Sequence, residues 1–208
     1  MDSIVYAIDT ETTGVSNHPV HLHPQVIELA SIELSNELQE LKNFADKLTV
    51  SAFIELLTSL GTVTRYRPSM EIHKRAHEVH GIHFRDLVKC ARSEDLKLPQ
   101  GVSLIVGHNI QYDYRCLGKP EGIVRICTLE IAKKVDKQFG IGFTNHKLDT
   151  LITYYYGDEA KDLVENSHQA LNDTIKVVLL LVKLLEYTPK IETFTELYAF
   201  TEALKPKK

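Results

Sequence analysis

The sequence predicts an α/β layered domain. Three observations carry this. The apolar run Ile4-Val5-Tyr6-Ala7-Ile8 breaks abruptly into Asp9-Thr10-Glu11-Thr12-Thr13-Gly14. Further short runs of strand character recur at 26–34, 62–67, 103–106 and 123–127, and from residue 103 onward they alternate with segments of helical spacing. Strands followed by strands interleaved with helices is the order of a sheet covered by helices.

The run 4–8 is too apolar for an edge strand and reads as central and buried. Asp9 and Glu11, two residues apart at its tip, project from one face because side chains alternate along a strand. A lone D-x-E pair also fits a strand that simply ends in solvent. At the tip of a buried strand, however, two carboxylates repel each other unless a cation or partner balances them, so the pair predicts a metal site and further acids elsewhere. Thr12, Thr13 and Gly14 predict a tight turn with free hydroxyls and close backbone approach, suited to a ligand. The loop 15–24 that follows carries His18, His21 and His23 among Pro19 and Pro24. Their spacing matches no usual metal site and reads as a flexible surface loop.

Residues 26–34 alternate well enough for a second strand. The stretch 36–60 predicts one or two helices ended by Gly61. Residues 62–67 are β-branched and aromatic, a third strand stopped by Pro68, and a polar helix follows near Ile72 to His80. A short strand at 103–106 runs into Gly107-His108-Asn109, and a strand at 123–127 leads into a helix from about Thr128 to Val135. Residues 146–156 read as helical. The apolar stretch from about His168 to Tyr187 is the strongest helix, and Thr193 to Ala203 predicts a closing one.

With 43% hydrophobic and 25% charged residues in 208, the chain has the makeup of a soluble globular protein with one sizeable core. No run approaches the ~18 apolar residues of a membrane span; the best, Val177 to Leu185, is short and carries Lys183. Met1-Asp2-Ser3 lacks the basic region of a signal peptide. Cys90, Cys116 and Cys127 are too few and scattered for a disulfide framework or a zinc site, so reduced thiols in the cytoplasm are expected. The net charge of −4 argues against coating nucleic acid by bulk electrostatics, but not against meeting phosphate through divalent cations. Lys205-Pro206-Lys207-Lys208 reads as a frayed, solvated end.

Two more acids stand at the ends of predicted elements. Asp113 lies just past the strand at 103–106, and Asp173 lies in the first turns of the strongest helix, five residues after His168. Taken singly, Asp113 fits a helix N-cap, Asp173 a solvated helix position and His168 a surface or capping histidine. Together they read D-x-E, then H-N-x-x-Y-D, then H-x-A-x-x-D, and in that order the chain resembles the DEDDh branch of the DEDD 3′-to-5′ exonuclease superfamily from about Ser3 to Tyr187. Arg67-Pro68 and Val79-His80-Gly81-Ile82 also look like that family. Arg125 to Lys134 is similar to the strand-to-helix segment of exodeoxyribonuclease X and the polymerase III epsilon subunit, more so the former because its connection from the Asp113 motif is short.

The resemblance implies a ribonuclease H-like fold, a mixed five-stranded sheet flanked by helices, with an exonuclease domain at 1–187 and a closing helix and basic tail at 188–208. It implies two Mg²⁺, or Mn²⁺ in their place, held by Asp9, Glu11, Asp113 and Asp173, hard oxygen donors suited to such ions. Asp9 would bridge both ions, Glu11 and Asp173 would complete the site of the attacking water, and Asp113 would reach the second ion partly through water. His168 would be the general base. Thr12 and the backbone of Thr13 and Gly14 would meet the terminal nucleotide, with Asn109 and Tyr112 near the scissile region. Tyr112 fits core packing equally well, whereas Asn109 is expected to be a strand-end residue buried beside the acids, where it needs polar partners. Within one ideal helix, positions 168 and 173 would be about 140° apart. His168 is therefore expected before the helix or in its first turn, capped by Ser167 or Asn166, with Gln169 closing a capping box if Asn166 caps. Such a position is expected to be mobile until substrate binds.

The expected activity is hydrolysis of DNA from 3′ ends, releasing nucleoside 5′-monophosphates, in repair, replication or proofreading. The alternatives are an exoribonuclease or oligoribonuclease, since catalytic acids are indifferent to the sugar, and, from a different class, a non-catalytic nucleic-acid-binding or polymerase-associated subunit; a DNA polymerase or a second copy of the chain is the expected protein partner. A degenerate acid set would favour the non-catalytic subunit, and here all five positions are intact. The loop 15–24 and the segment 36–60 are both longer than the family pattern.

Overall fold

The computed structural model describes residues 4–14, 23–188 and 190–202. His18, His21, the first three residues and the basic end 203–208 lie outside the described residues. The first strand, β1, spans Ile4–Thr12, so Asp9 and Glu11 sit within the strand rather than beyond it. It pairs antiparallel with β2 (Val26–Leu34) and parallel with β5 (Val102–Gly107). On the β2 side, antiparallel β3 (Thr62–Arg67) and then parallel β4 (Ala91–Arg92) extend the sheet; on the β5 side, parallel β6 (Val124–Cys127) ends it. The mixed sheet has six strands in the order β4-β3-β2-β1-β5-β6. The sixth, beyond the expected five, is β4. Two exposed residues at a sheet edge carry no periodic pattern, which is why the sequence did not announce it.

Helices clothe this sheet. The predicted helices at 36–60 are α1 (Leu38–Lys47) and α2 (Val50–Leu60), the second capped by the Thr49 hydroxyl. The polar helix is shorter than expected, α3 (Lys74–His80), closed by Gly81 at φ 69° and followed by a single turn, α4 (Phe84–Leu87). After β5 comes α5 (Gln111–Cys116), with Ile110 as its N-cap; Asp113 is the third residue of this helix and not its cap. Downstream lie α6 (Thr128–Phe139), α7 (Leu148–Tyr156), the short α8 (Lys161–Glu165), α9 (Ala170–Leu185) and α10 (Phe194–Glu202).

Twelve of the sixteen residues of α9 are buried, because it packs across β1 and β2 as the centre of the main core. Val5 and Ala7 of β1 face that core, whereas Ile8 packs with Ile105 and Ile110 on the opposite face of the sheet. β1 is thus covered on both sides, as its apolar run predicts. Phe194 and Leu197 of α10 belong to the same core, and the Leu38 N–H donates to the Glu192 carbonyl at 2.8 Å. Gly107 is required sterically where β5 meets the next segment. A Cβ there would stand 2.6 Å from Ile110 Cδ1 and 3.1 Å from the Ile8 carbonyl oxygen. Among the described residues, no helix is long and apolar enough to cross a membrane.

Candidate active site

The alternation of β1 sends Asp9 and Glu11 toward the α9 face and Thr10 toward the α5 face. Asp173, in the first turn of α9, meets the former pair. Asp113 arrives on α5 from the other side and accepts a hydrogen bond from the Thr10 hydroxyl at 2.7 Å. A register shift between Glu11 and Thr12 bends the strand end at this point, as bulges do where a side chain must be re-aimed. Glu11, His168 and Asp173 offer ligand atoms that all lie within 4.8 Å of one another. One strand, two helices and the turn before α9 thereby bring all four predicted acids and the histidine to one end of the sheet.

The charges interact. Burial first, and then the neighbouring Asp113, Asp173 and Glu11 carboxyls, push the Asp9 carboxyl well above the usual range. Burial pushes Glu11 up to about 9, with Asp173, Glu28 and Asp113 adding to it and Lys176 opposing. Glu28 is the residue opposite Glu11 on β2, itself buried and paired with Arg65 at 2.7 Å. Burial raises Asp113 to about 7 against the hydrogen bond from Thr10. Asp173 Oδ1 is buried without a hydrogen-bond donor; it lies 2.5 Å from the Lys176 ammonium, but not in hydrogen-bonding geometry. Crowded carboxyl oxygens with repulsion to relieve and one buried oxygen lacking a donor are what a hard divalent cation would satisfy.

His168 precedes α9, as the angular argument required, with φ 65° and an exposed side chain. The expected caps are not used. Gln169 is the N-cap, without a side-chain hydrogen bond, and Ser167 instead places its hydroxyl against Asp149. The turn after Glu11 also differs from expectation. Its hydroxyls are not free: Thr12 Oγ1 donates to the Gly14 carbonyl at 2.8 Å, and the Gln25 N–H donates to Thr13 Oγ1 at 2.9 Å. Buried hydroxyls without partners are costly, so the chain supplies them. Tyr112 joins this network, donating to the Gly14 carbonyl at 2.7 Å and lying 2.6 Å from Thr12 Oγ1. Asn109 is not buried beside the acids. It is exposed at φ 64° and lines a separate groove of ≈ 710 Å³ with Gln111, Arg125 and Tyr198.

Two cavities flank the acids. One, of ≈ 550 Å³, opens from Thr13 and Gly14 and is walled by Pro24, Ile72, His73 and His77. The other, of ≈ 660 Å³, contains His168 and Asp173 and is walled by His108, Lys133, His146 and Lys147. His108 is held neutral there, its imidazole lowered to about 4 by burial, with Nε2 2.9 Å from the His146 carbonyl. Lys176, Asp149 and Glu28 also interact with this cluster, and no motif marks them. Lys176 has only the signal of a single charge amid Thr174-Ile175-Lys176-Val177-Val178; the partners of Asp149 and Glu28 are set only by tertiary contact.

No curated protein sequence matches the chain. Among solved structures, exonuclease X in complex with 5′-overhanging duplex DNA matches at 19% identity and a TM-score of 0.61, over 93% of this chain and 99% of that one. The zinc-bound complex of Escherichia coli exonuclease I with single-stranded DNA matches at 14% identity and TM-score 0.60, and exonuclease I from Methylocaldum szegediense at 16% and 0.59. The chain spans 43% of the length of each of these two, while 96% and 97% of it is covered. At these identities the structural matches show the fold, a ribonuclease H-like sheet flanked by helices. The sequence model of the RNase T exonuclease family matches residues 6–181, most of the chain, so this protein belongs to that exonuclease family, within the DEDDh superfamily.

Proposed function

We propose that this exonuclease is metal-dependent and removes nucleotides from the 3′ ends of DNA. The observation that carries the reading is the convergence of Glu11, His168 and Asp173 within 4.8 Å beside Asp9 and Asp113, with Asp173 Oδ1 lacking a donor. Asp9, Glu11, Asp113 and Asp173 would hold two divalent cations, Mg²⁺ or Mn²⁺. Bound there, the ions would supply Lewis acidity to the phosphodiester, its attacking water and its leaving oxygen. His168, exposed and with a ring nitrogen within 4.8 Å of the Glu11 and Asp173 oxygens, accepts the proton of the attacking water.

The turn at Thr12, Thr13 and Gly14, pinned by Tyr112, seats the terminal nucleotide at the mouth of the ≈ 550 Å³ cavity. The preceding backbone leaves past His168, where Lys133 and Lys147 line the second cavity and complement phosphate charge. DNA is favoured as substrate because structural neighbours, exonuclease X and exonuclease I, are described in complexes with DNA.

The test incubates the full chain with 5′-labelled and 3′-labelled single-stranded DNA, duplex DNA and RNA, in Mg²⁺, Mn²⁺ or EDTA, beside Asp9→Ala. Stepwise shortening of 5′-labelled DNA with release of 5′-monophosphates is expected. Activity persisting in EDTA or in Asp9→Ala overturns the metal reading, preferential degradation of RNA overturns the substrate, and stepwise shortening from the 5′ end overturns the polarity.

A further inference from the structure

Lys176 is 1% exposed and stands in α9, the helix at the centre of the main core, one turn after Asp173. A buried ammonium is costly unless its donors are paired, and here its partners come from three different segments. Nζ donates to Asp149 Oδ1 of α7 at 2.5 Å and to Ser167 Oγ, in the turn before α9, at 2.8 Å. It also lies 2.5 Å from Asp173 Oδ1, outside hydrogen-bonding geometry. The Asp173 carboxylate is therefore held by an ion pair at its inner oxygen, with no hydrogen-bond donor in good geometry.

The same cation holds the residue next to His168. The single proton of the Ser167 hydroxyl lies between Asp149 Oδ1 at 2.8 Å and the Val164 carbonyl at 2.7 Å, and its oxygen accepts from Lys176. On the other side of Ser167, Asn172 Nδ2 donates to the Asn166 carbonyl at 3.0 Å. After His168, the Asp173 N–H closes on the Gln169 carbonyl at 3.1 Å. The left-handed backbone of His168 is thus bracketed by anchors while its ring is exposed; such a conformation persists where its surroundings over-determine it.

We propose that Lys176 is a positioning residue, an internal cation that ties Asp149, Ser167 and Asp173 together and so sets His168 relative to Asp173 before any metal or substrate arrives. The inference rests on the reading of Asp173 as a metal ligand and His168 as the base. It replaces a mobile histidine, ordered only by substrate, with a preset one.

The test uses the full chain and two variants, Lys176→Met and Ser167→Ala. In the metal-free protein, hydrogen exchange at the Asn166 and Ser167 amides should accelerate in both variants, while exchange in the buried body of α9 stays at wild-type rates. With metal and oligonucleotide, Lys176→Met should lower kcat by about 100-fold, the scale of a ~1 Å misplacement, and leave KM within about twofold. In a His168→Ala background the same substitution should cost almost nothing further, because the two residues act as a unit. Unchanged exchange at 166–167, or an equal loss of kcat with and without His168, overturns the proposal. If Lys176→Met does not fold, Ser167→Ala decides, since that half-buried hydroxyl severs the link without stranding a charge. Absence of nuclease activity in the wild type would instead sink the exonuclease reading, and the metal-free exchange result would still judge the anchor.

Discussion

Glu11, with its carboxyl pushed up to about 9, keeps its proton at neutral pH until a cation displaces it, and burial raises Asp113 to about 7. Both values are raised by folding, so the stability they contribute is full below the ordinary carboxylate range and is lost as pH rises through about 7 and then about 9. The melting temperature of the EDTA-treated protein should therefore fall between pH 6 and pH 9. Mg²⁺ should restore it by an increment that grows with pH, which scanning calorimetry at several pH values would read; a constant increment would contradict the raised carboxyls. His168→Ala should reduce kcat by about 10²–10⁴, the usual worth of a general base, with KM almost unchanged, and steady-state kinetics on a labelled oligonucleotide would check it. At this scale the sequence was informative wherever spacing alone places side chains. Asp9 and Glu11 share a face because strand periodicity is 2, and His168 could not share an ideal helix with Asp173. Asn109 was misplaced because its left-handed backbone turns it out of the strand end, which a residue string does not show. The Lys176 anchor was illegible because its partners lie 27, 9 and 3 residues away, a set that only folding assembles.

Strands with an apolar or β-branched run were legible even when short, as at β5 and β6, and so were the longer helices; the briefest helices were not. α9 and the central strands announce themselves because each must bury a whole face, whereas α5 and α8, of six and five residues, are too brief for a period to register. Yet α5 carries Asp113, and its placement depends on the junction with β5. Gly107 allows Ile110 to close against Ile8 with no room for a side chain. Gly107→Ala should cost about 1–3 kcal/mol by overpacking, because the Ile8 carbonyl cannot move away without breaking the sheet. At roughly 2–4 °C per kcal/mol for a chain of this size, thermal unfolding would show it. The same substitution should lower nuclease activity more than its stability loss explains, since α5 and Asp113 would shift together.

The whole molecule is organised around one helix that serves two purposes. The first turn of α9 presents Asp173, and the rest of it fills the core against β1 and β2. The predicted architecture followed from this economy, since a sheet with a buried central strand needs such a cover; the two-residue β4 was not predicted because nothing in the core depends on it. α10 joins the same core through Phe194 and Leu197, so Phe194→Ala should cost about 3–5 kcal/mol, measurable by urea denaturation. A helix that cannot open without exposing the core also cannot open alone. Local fluctuations that loosen the turn before it leave the carboxylate of its first turn in place, and any fluctuation that removes that carboxylate unfolds the protein. Heat inactivation and loss of compactness should then be one event with one midpoint. A molecule damaged enough to lose Asp173 would present itself to cellular proteases as an unfolded chain, leaving no half-folded nuclease behind.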